Sequence, residues 1–187
     1  MLLTKGLLTL AAASFCANAA QYSVGLTPAN TKVDWTLSAT AHTVHGTFVL
    51  KRGTVTFDSE TGKASGEVVV DLTSGQTGND GRDKNMHGKV LESAKYPEAV
   101  FTVDRVEGKF DPAGASAVKL HGAFKIHGVA HELTVDVKSK SANGQLDADI
   151  TFSIPFISWG MKDPSNFLLK VGKTVDVDIH TAAPLQR

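Results

Sequence analysis

The chain has 187 residues with 19 basic and 19 acidic side chains, 42% hydrophobic residues and one cysteine. A formal net charge of zero excludes the strongly basic surface on which nonspecific nucleic-acid binding depends, so we expect no nucleic-acid partner. A single cysteine excludes a framework of internal disulfides. The fold therefore has to be stabilised by its own hydrophobic core, for which one domain of this length suffices.

The first segment has the features of a signal peptide. Lys5 precedes an apolar run over residues 6–15, and residues 17–19 read Ala-Asn-Ala, a small-residue cleavage site. We therefore predict a signal peptide over residues 1–19 and one mature domain over residues 20–187. This apolar run is too short to span a bilayer, so we also expect no stable membrane insertion.

Export indicates a periplasmic location. Loss of Lys5 and of Cys16, the one cysteine, leaves a mature chain with a formal charge of about −1 and no thiol. Two alternatives for the N-terminus are a buried helix and a lipoprotein acylated at Cys16. The large Phe15 disfavours acylation, because that processing normally needs a small residue before the cysteine.

The first half of the mature chain alternates apolar and polar residues, as strands with one buried face do. Trp35 and Phe48 lie on or next to the apolar faces of this pattern. The predicted strands lie at residues 32–37, 45–50, 52–58 and 63–72, with a turn at 51–53.

Residues 73–98 interrupt the alternation. Three spaced glycines are followed by a polar run, which predicts one or two short helices, the first capped by Asp80 and the second ended by Pro97. A connection this long within a compact sheet is often functional. We expect it to cover an open end of the sheet as a lid or plug.

The second half returns to strict alternation. Phe124 and Ile126 share one face while Lys125 takes the other, and Asn143-Gly144 indicates a tight hairpin. The predicted strands lie at residues 99–106, 118–126, 131–138, 146–154 and 175–179. An antiparallel sheet with one apolar face has to pack on another sheet or close on itself, and we predict an all-β fold with a single antiparallel barrel.

Residues typical of catalysis or metal binding form no recognisable motif. The seven histidines include no His-Glu-x-x-His pattern, the mature chain has no cysteine, and no Gly-x-Ser-x-Gly elbow occurs. The carboxylate pairs Asp147/Asp149 and Asp176/Asp178 lie on outward strand faces. We therefore predict no catalytic residues, no metal site and no enzyme activity.

Apolar residues on the inward faces, together with the apolar segment 153–161, form the predicted ligand-binding set, because a barrel lined by them either fills its lumen or binds an apolar ligand. This set is Trp35, Phe48, Phe101, Phe124, Ile126, Leu133, Ile150, Phe152, Phe156, Trp159 and Met161. A polar head group is predicted to meet the 73–98 insertion, where basic residues and a lid coincide. The head-group candidates are Arg82, Lys84 and His87, with an Arg82–Asp83 ion pair as the structural alternative.

Several short motifs occur in an order and spacing typical of one family. They are Val-His-Gly-Thr-Phe at 44–48, Gly-Thr-Val-Thr-Phe-Asp at 53–58, Arg-Asp at 82–83, Lys-Tyr-Pro-Glu-Ala-Val-Phe at 95–101, Leu-His-Gly-Ala-Phe-Lys-Ile-His-Gly-Val at 120–129 and Val-Gly-Lys-Thr-Val at 171–175. Over roughly residues 21–182 the chain resembles the YceI-like family of periplasmic polyisoprenoid-binding proteins.

The resemblance implies an extended, lipocalin-like β-barrel whose tunnel takes a long isoprenoid or another amphiphilic chain. The expected partner is a small amphiphilic lipid, with a polyisoprenoid, quinone, prenyl phosphate or fatty-acid-like lipid as the bound species and no required cofactor. Many relatives carry an arginine before an aromatic-Gly pair in the C-terminal third. Here Ser158 precedes Trp159-Gly160 and the nearest cation, Lys162, follows them, so recognition of a charged head group differs or the ligand is neutral.

The leading hypothesis is therefore a non-catalytic periplasmic carrier of a long-chain lipid. One alternative is a barrel enzyme, an isomerase or hydrolase acting on a lipid, with His131 as the titratable group on the apolar face. Another is a stress-response protein with a filled core. The oligomeric state stays open, with a homodimer as a candidate.

Overall fold

The computed structural model describes residues 20–40, 42–167 and 169–187, so the predicted signal peptide lies outside the described residues. The described chain is built almost entirely from antiparallel strands, and one short helix interrupts them. The elements are β1 (Gln21–Leu26), β2 (Thr31–Ser38), β3 (Thr43–Asp58), β4 (Ala64–Gln76), α1 (Asp80–Asn85), β5 (Glu98–Glu107), β6 (Ala115–Ile126), β7 (Val129–Ala142), β8 (Gln145–Ile154) and β9 (Val175–Gln186).

Eight strands, β2 to β9, close into a barrel because β2 pairs with β3 on one side and with β9 on the other. The short β1 pairs with the second half of β3 and with the end of β9, beyond the reach of β2. The predicted all-β, lipocalin-like antiparallel barrel with a short helix in its insertion is confirmed.

Alternation along each strand sends apolar side chains inward, which is the reason that the barrel closes around a core. In β6, Phe124 and Ile126 are buried while Lys125 is exposed. Cross-strand pairing places Phe124 opposite Phe101 of β5. Gly122 allows β5 and β6 to approach, because a Cβ there would lie 2.1 Å from the carbonyl oxygen of Thr102.

The predicted division of residues 45–58 into two strands is wrong. β3 runs without interruption from Thr43 to Asp58, and the register against β4 shifts between Leu50 and Arg52. A β-bulge therefore lies where a turn was expected at residues 51–53. The bulge accommodates two consecutive charged residues in a strand whose apolar positions lie inward on both sides of it.

The insertion is shorter than the sequence indicates, because β4 continues to Gln76. α1 passes into a single π-helical turn over Met86–Val90. Its cap is Asn79, not Asp80 as predicted: the Asn79 side-chain oxygen accepts a hydrogen bond from the Arg82 backbone N–H at 3.0 Å. Within the described ranges, no helix combines the length and hydropathy that a bilayer crossing requires.

The connections lie at two ends of the barrel. The β2–β3, β4–β5, β6–β7 and β8–β9 connections form the end that we call the insertion end, because residues 77–97 lie there. The other connections form the base. At the base, Phe110 packs edge-on against Phe57, with ring centroids 4.9 Å apart, and against Tyr22 at 5.3 Å. This aromatic cluster closes the base.

Candidate ligand-binding cavity

The barrel encloses a cavity of about 600 Å³ whose wall is mostly apolar and receives side chains from all nine strands. Leu133, Ile150 and Ile179 point inward from β7, β8 and β9, yet each is only half-buried. Since these side chains lie on the inner face, their accessible surface faces the cavity and not the outer solvent. The interior therefore contains space for a ligand and is not a filled core.

The predicted ligand-binding residues lie together on this wall, apart from Trp159. On the wall are Trp35, Phe48, Phe101, Phe124, Ile126, Leu133, Ile150, Phe152, Phe156 and Met161. They come from β2, β3, β5 to β8 and the β8–β9 connection, so no single segment builds the site. Their role in binding stays a prediction.

Trp159 does not line the cavity and lies against the part of β7 that has no partner in β8. β7 pairs with β8 only from Asp136 onward, so residues 129–135 of β7 have no partner in β8. The Trp159 ring stacks parallel on His131 at 4.1 Å and lies 6.0 Å from the Phe124 ring. These contacts place Trp159 at the unpaired part of β7.

His131 does not line the cavity, although its position in the strand alternation had suggested a titratable group at the lumen. Its ring is covered by Trp159, and its Nε2 atom is buried without a hydrogen-bond partner among the described residues. Alternation predicted the inward face correctly. It could not predict the tryptophan that covers the ring from a distant segment.

The cavity opens at the insertion end. Its exposed wall residues are His42, Asn79, Gly81 and Asn166, and all four lie there. At the base, the wall residues are buried or half-buried. There the hydroxyl groups of Thr31 and Thr181, both buried, lie 2.9 Å apart and hydrogen-bond to each other. The cavity is thus a pocket with a polar mouth at one end and a closed base.

Arg82 is the one Lys, Arg, Asp or Glu side chain on the cavity wall within the described ranges. No ion pair to its guanidinium occurs among the residues that the structure describes. The alternative Arg82–Asp83 ion pair is not formed, because the Asp83 carboxylate accepts hydrogen bonds from the hydroxyl and backbone N–H of Thr77 at 2.5 and 3.0 Å. The Arg82 guanidinium therefore lies at the mouth without a salt bridge to any described carboxylate.

The other two head-group candidates do not reach the cavity. Lys84 is exposed and lies off the wall. The His87 Nε2–H donates to the Gly75 carbonyl at 2.9 Å, and its Nδ1 lies 2.9 Å from the Ser93 hydroxyl oxygen, to which it is hydrogen-bonded. This pair of bonds holds the π-helical turn on the end of β4.

A contact between two residues with left-handed backbones ties the insertion to the β6–β7 turn. Glu92 and His127 have φ angles of 46° and 51°, and the His127 Nε2 lies 2.7 Å from the Glu92 carboxylate. The His127 ring also packs on Tyr96 at 4.5 Å. Backbone strain at both residues is offset by this contact, so the insertion is held at the barrel rim.

One group outside the barrel has the composition of a metal site: Asp104, His121 and Glu132. The two ring nitrogens of His121 face different carboxylates, Nδ1 at 3.0 Å from Asp104 and Nε2 at 3.4 Å from Glu132. A metal ion needs ligand atoms that converge on one point. The arrangement is that of a histidine bridging two carboxylates on the outer surface.

The polar mouth residues and the aromatic base were not predicted from the sequence. Asn79 and Asn166 lie in irregular segments and Asn85 ends the six-residue helix α1, so strand periodicity carries no information on their orientation. Phe110 lies in the β5–β6 connection, and no strand pattern reaches it. The one feature that could have indicated its role is an aromatic residue in a connection between Gly108 and Gly114.

Comparison with known proteins agrees with this geometry. The family model of the YceI-like domain matches residues 25–183, almost the whole described chain. The chain belongs to the YceI-like domain family. A UPF0312 protein of Vibrio campbellii is 29% identical over 140 residues, covering 73% of this chain and 72% of that protein. A UPF0312 protein of Pseudomonas savastanoi pv. phaseolicola is 28% identical over 173 residues, covering 87% and 85%.

Solved structures share the family fold at low sequence identity. BcnA of Burkholderia cenocepacia has a TM-score of 0.67 at 20% identity, covering 82% of this chain and 96% of that one. A polyisoprenoid binding domain from Saccharophagus degradans, implicated in plant cell wall breakdown, has a TM-score of 0.66 at 20% identity, covering 88% and 98%. At this identity the likeness establishes the fold.

Proposed function

We propose that this YceI-like protein is a non-catalytic carrier that holds one long-chain amphiphilic lipid in its cavity. The apolar tail lies in the barrel and the polar end lies at the mouth. The observation that carries the proposal is an apolar cavity of about 600 Å³ that is closed at the base and open at the insertion end. A pocket of this shape matches a ligand with one apolar and one polar end.

The apolar wall supplies the affinity. Each buried methylene group contributes about 0.8 kcal/mol, so a tail of ten such groups gains about 8 kcal/mol before the loss of its translational and conformational freedom. Because the wall has few directional contacts, we expect weak discrimination among tails of similar length. An isoprenoid tail is favoured by the polyisoprenoid-binding relative from Saccharophagus degradans.

The mouth favours an anionic end group. Arg82 is the one charged wall residue of the described chain, and its guanidinium has no carboxylate partner there. A phosphate or carboxylate would supply the missing charge and accept several N–H donors from one guanidinium. We therefore favour a prenyl phosphate over a neutral quinone as the class of ligand.

A competition assay tests both parts of the proposal. A fluorescent fatty-acid probe is displaced by a prenyl phosphate and by the prenyl alcohol with the same tail. Arg82→Gln should weaken the phosphate about tenfold or more and leave the alcohol unchanged, since hydrogen bonds to charged groups contribute about 1.5–3 kcal/mol. Lys84→Gln is the matched control on the same helix.

Each outcome of this assay has a defined meaning. If neither ligand displaces the probe, the carrier function fails. If Arg82→Gln weakens both ligands equally, the head-group assignment fails while lipid binding stands. Mass spectrometry of the lipid recovered after long incubation should return the starting compound, and a changed lipid would indicate an enzyme.

The proposed compartment is the periplasm, supported by the signal-peptide features of residues 1–19. N-terminal sequencing of protein recovered from its source cells should begin at Ala20 or Gln21. A retained Met1, or a lipid attached to Cys16, would overturn the predicted processing.

A further inference from the structure

Exposed apolar side chains are few and concentrate near the mouth. Within the described ranges, three large apolar residues are exposed: Val49, Val129 and Phe167. Val129 and Phe167 lie at the insertion end, and Phe167 is 93% exposed in the β8–β9 connection. A single exposed phenylalanine is common on protein surfaces, so Phe167 carries an argument only together with the charges around the mouth.

Charge is distributed unevenly along the barrel axis. Residues 77–97 and 155–174, which frame the mouth, contain seven Lys or Arg against four Asp or Glu. Across the remaining residues from 20 onward, acidic side chains outnumber basic ones by four. The protein therefore has a positive insertion end and a negative remainder, a separation that orients it toward an anionic surface.

The lysines nearest Phe167 in sequence have no carboxylate within salt-bridge distance. Lys162, Lys170 and Lys173 form no ion pair within the described residues, as is also true of Lys125 and Lys138 on the strands, whereas Lys51 and Lys119 pair with carboxylates at 2.6 and 2.5 Å. The acid of this segment, Asp163, has its pKa held below the usual value first by the hydroxyl and backbone N–H of Ser165. Lys170 and Lys173 lower that pKa further, so they lie near it.

We propose that the insertion end docks reversibly on an anionic lipid bilayer, with Phe167 inserted among the head groups and the cavity mouth facing the membrane. An exposed aromatic residue in a segment that also carries several lysines has the composition of interfacial membrane contacts. Docking in this orientation lets a lipid pass between bilayer and cavity without crossing water. The side chains assigned to docking, Phe167, Lys170 and Lys173, do not line the cavity, so docking does not depend on which ligand the cavity holds.

Vesicle flotation of delipidated protein tests the docking. Wild-type protein should float with vesicles of phosphatidylcholine and phosphatidylglycerol and stay in solution with phosphatidylcholine alone. Phe167→Ser should lower partitioning roughly ten- to 100-fold, the factor expected when one phenylalanine loses its apolar environment. Val49→Ser, an exposed apolar residue on the outer barrel wall, is the matched control and should change nothing.

The electrostatic part has its own test. Replacing Lys170 and Lys173 by Glu should lower partitioning about fivefold or more for each residue, and added salt should reduce wild-type binding in the same direction. Lys138→Glu, with an exposed lysine on the outer face of β7 that forms no ion pair among the described residues, should have little effect. An equal loss of vesicle partitioning from substitution of the mouth lysines and of the lysine on the outer strand face would overturn the proposed orientation.

Two crossed variants separate docking from cargo binding. Ile150→Asp places an unpaired carboxylate on the cavity wall and should abolish binding of the soluble fluorescent lipid while leaving vesicle flotation intact. Phe167→Ser should give the reverse pattern. The docking proposal is overturned if wild-type protein does not float with anionic vesicles, or if Phe167→Ser floats like wild type. Phe167 would then be a candidate contact for a protein partner.

Discussion

Ile150→Asp is the perturbation that most sharply separates an apolar binding cavity from an accidental void. Ile150 lies mid-barrel on β8, opposite Val137 of β7 and Ile179 of β9, and all three line the cavity. The introduced carboxylate would face apolar side chains, and the one charged residue of the described wall, Arg82, lies at the mouth. No counter-ion is available beside it.

Two effects add in this variant. Loss of the isoleucine contact with the ligand removes about 1.5–3 kcal/mol. An unpaired carboxylate desolvated by the ligand costs several kcal/mol more, so the dissociation constant at neutral pH should rise by more than about a thousandfold. The apolar surroundings raise the pKa of the introduced carboxyl group above about 3.9, so acidification should restore the charge-dependent part of the loss.

Titration with a fluorescent lipid across pH, alongside far-UV circular dichroism and chemical denaturation, measures both effects. Ile150→Asn is the neutral control and should lose only the contact part, without pH dependence. Asp149→Asn, on the outer face of the same strand, should bind like wild type. A folded Ile150→Asp protein that binds lipid with wild-type affinity would refute the assignment of the cavity as the binding site.

Three further variants test the architecture. Gly122→Ala should destabilise the protein by about 1–3 kcal/mol in urea denaturation, because its methyl group would collide with a β5 carbonyl oxygen, whereas Gly25→Ala, with open space around it, should change stability little. Asp71→Asn should lower stability at neutral pH, because the hydroxyl and backbone N–H of Thr73 hold the pKa of Asp71 below its usual 3.8. The difference in stability from wild type should shrink as the pH falls through that lowered pKa. A difference that persists in acid would contradict this reasoning. Trp159→Leu should lower the thermal midpoint but keep lipid affinity within about threefold, since the Trp159 ring does not line the cavity. A selective loss of affinity would instead show that Trp159 contacts the ligand.

Alternation made the inward face of each strand predictable. Because side chains on a strand change face at every residue, Phe124 could be assigned inward and Lys125 outward without a structure. The pairing of Phe124 with Phe101 depends on the register of β6 against β5 and was not predicted. Alternation also predicted an antiparallel barrel and located the helical insertion, although it divided β3 in two and did not predict β1. The two-residue alternation is a local property of the sequence. It predicts the buried face correctly because every strand of the barrel has one face toward the core.

Features that depend on distant contacts were not predictable. The bulge near Lys51 is set by the pairing of β3 with β4, which the local sequence does not reveal. The two consecutive charged residues therefore suggested a turn. The stack of Trp159 on His131 joins a residue of the β8–β9 connection to a residue of β7, and local patterning does not bring the two together. Asn79 and Asp80 are both good caps, and only the backbone geometry of the helix start selects Asn79.

Native mass spectrometry of the protein purified from its source cells without detergent tests the central claim most directly. A carrier with an open apolar cavity should retain one amphiphilic lipid, seen as a discrete mass addition that is lost in Ile150→Asp and kept in Asp149→Asn. Fragmentation of the complex should release a long-chain molecule with an anionic end group. A protein that emerges as the bare chain, and that stays bare after incubation with prenyl phosphates and other long-chain lipids, would contradict the account.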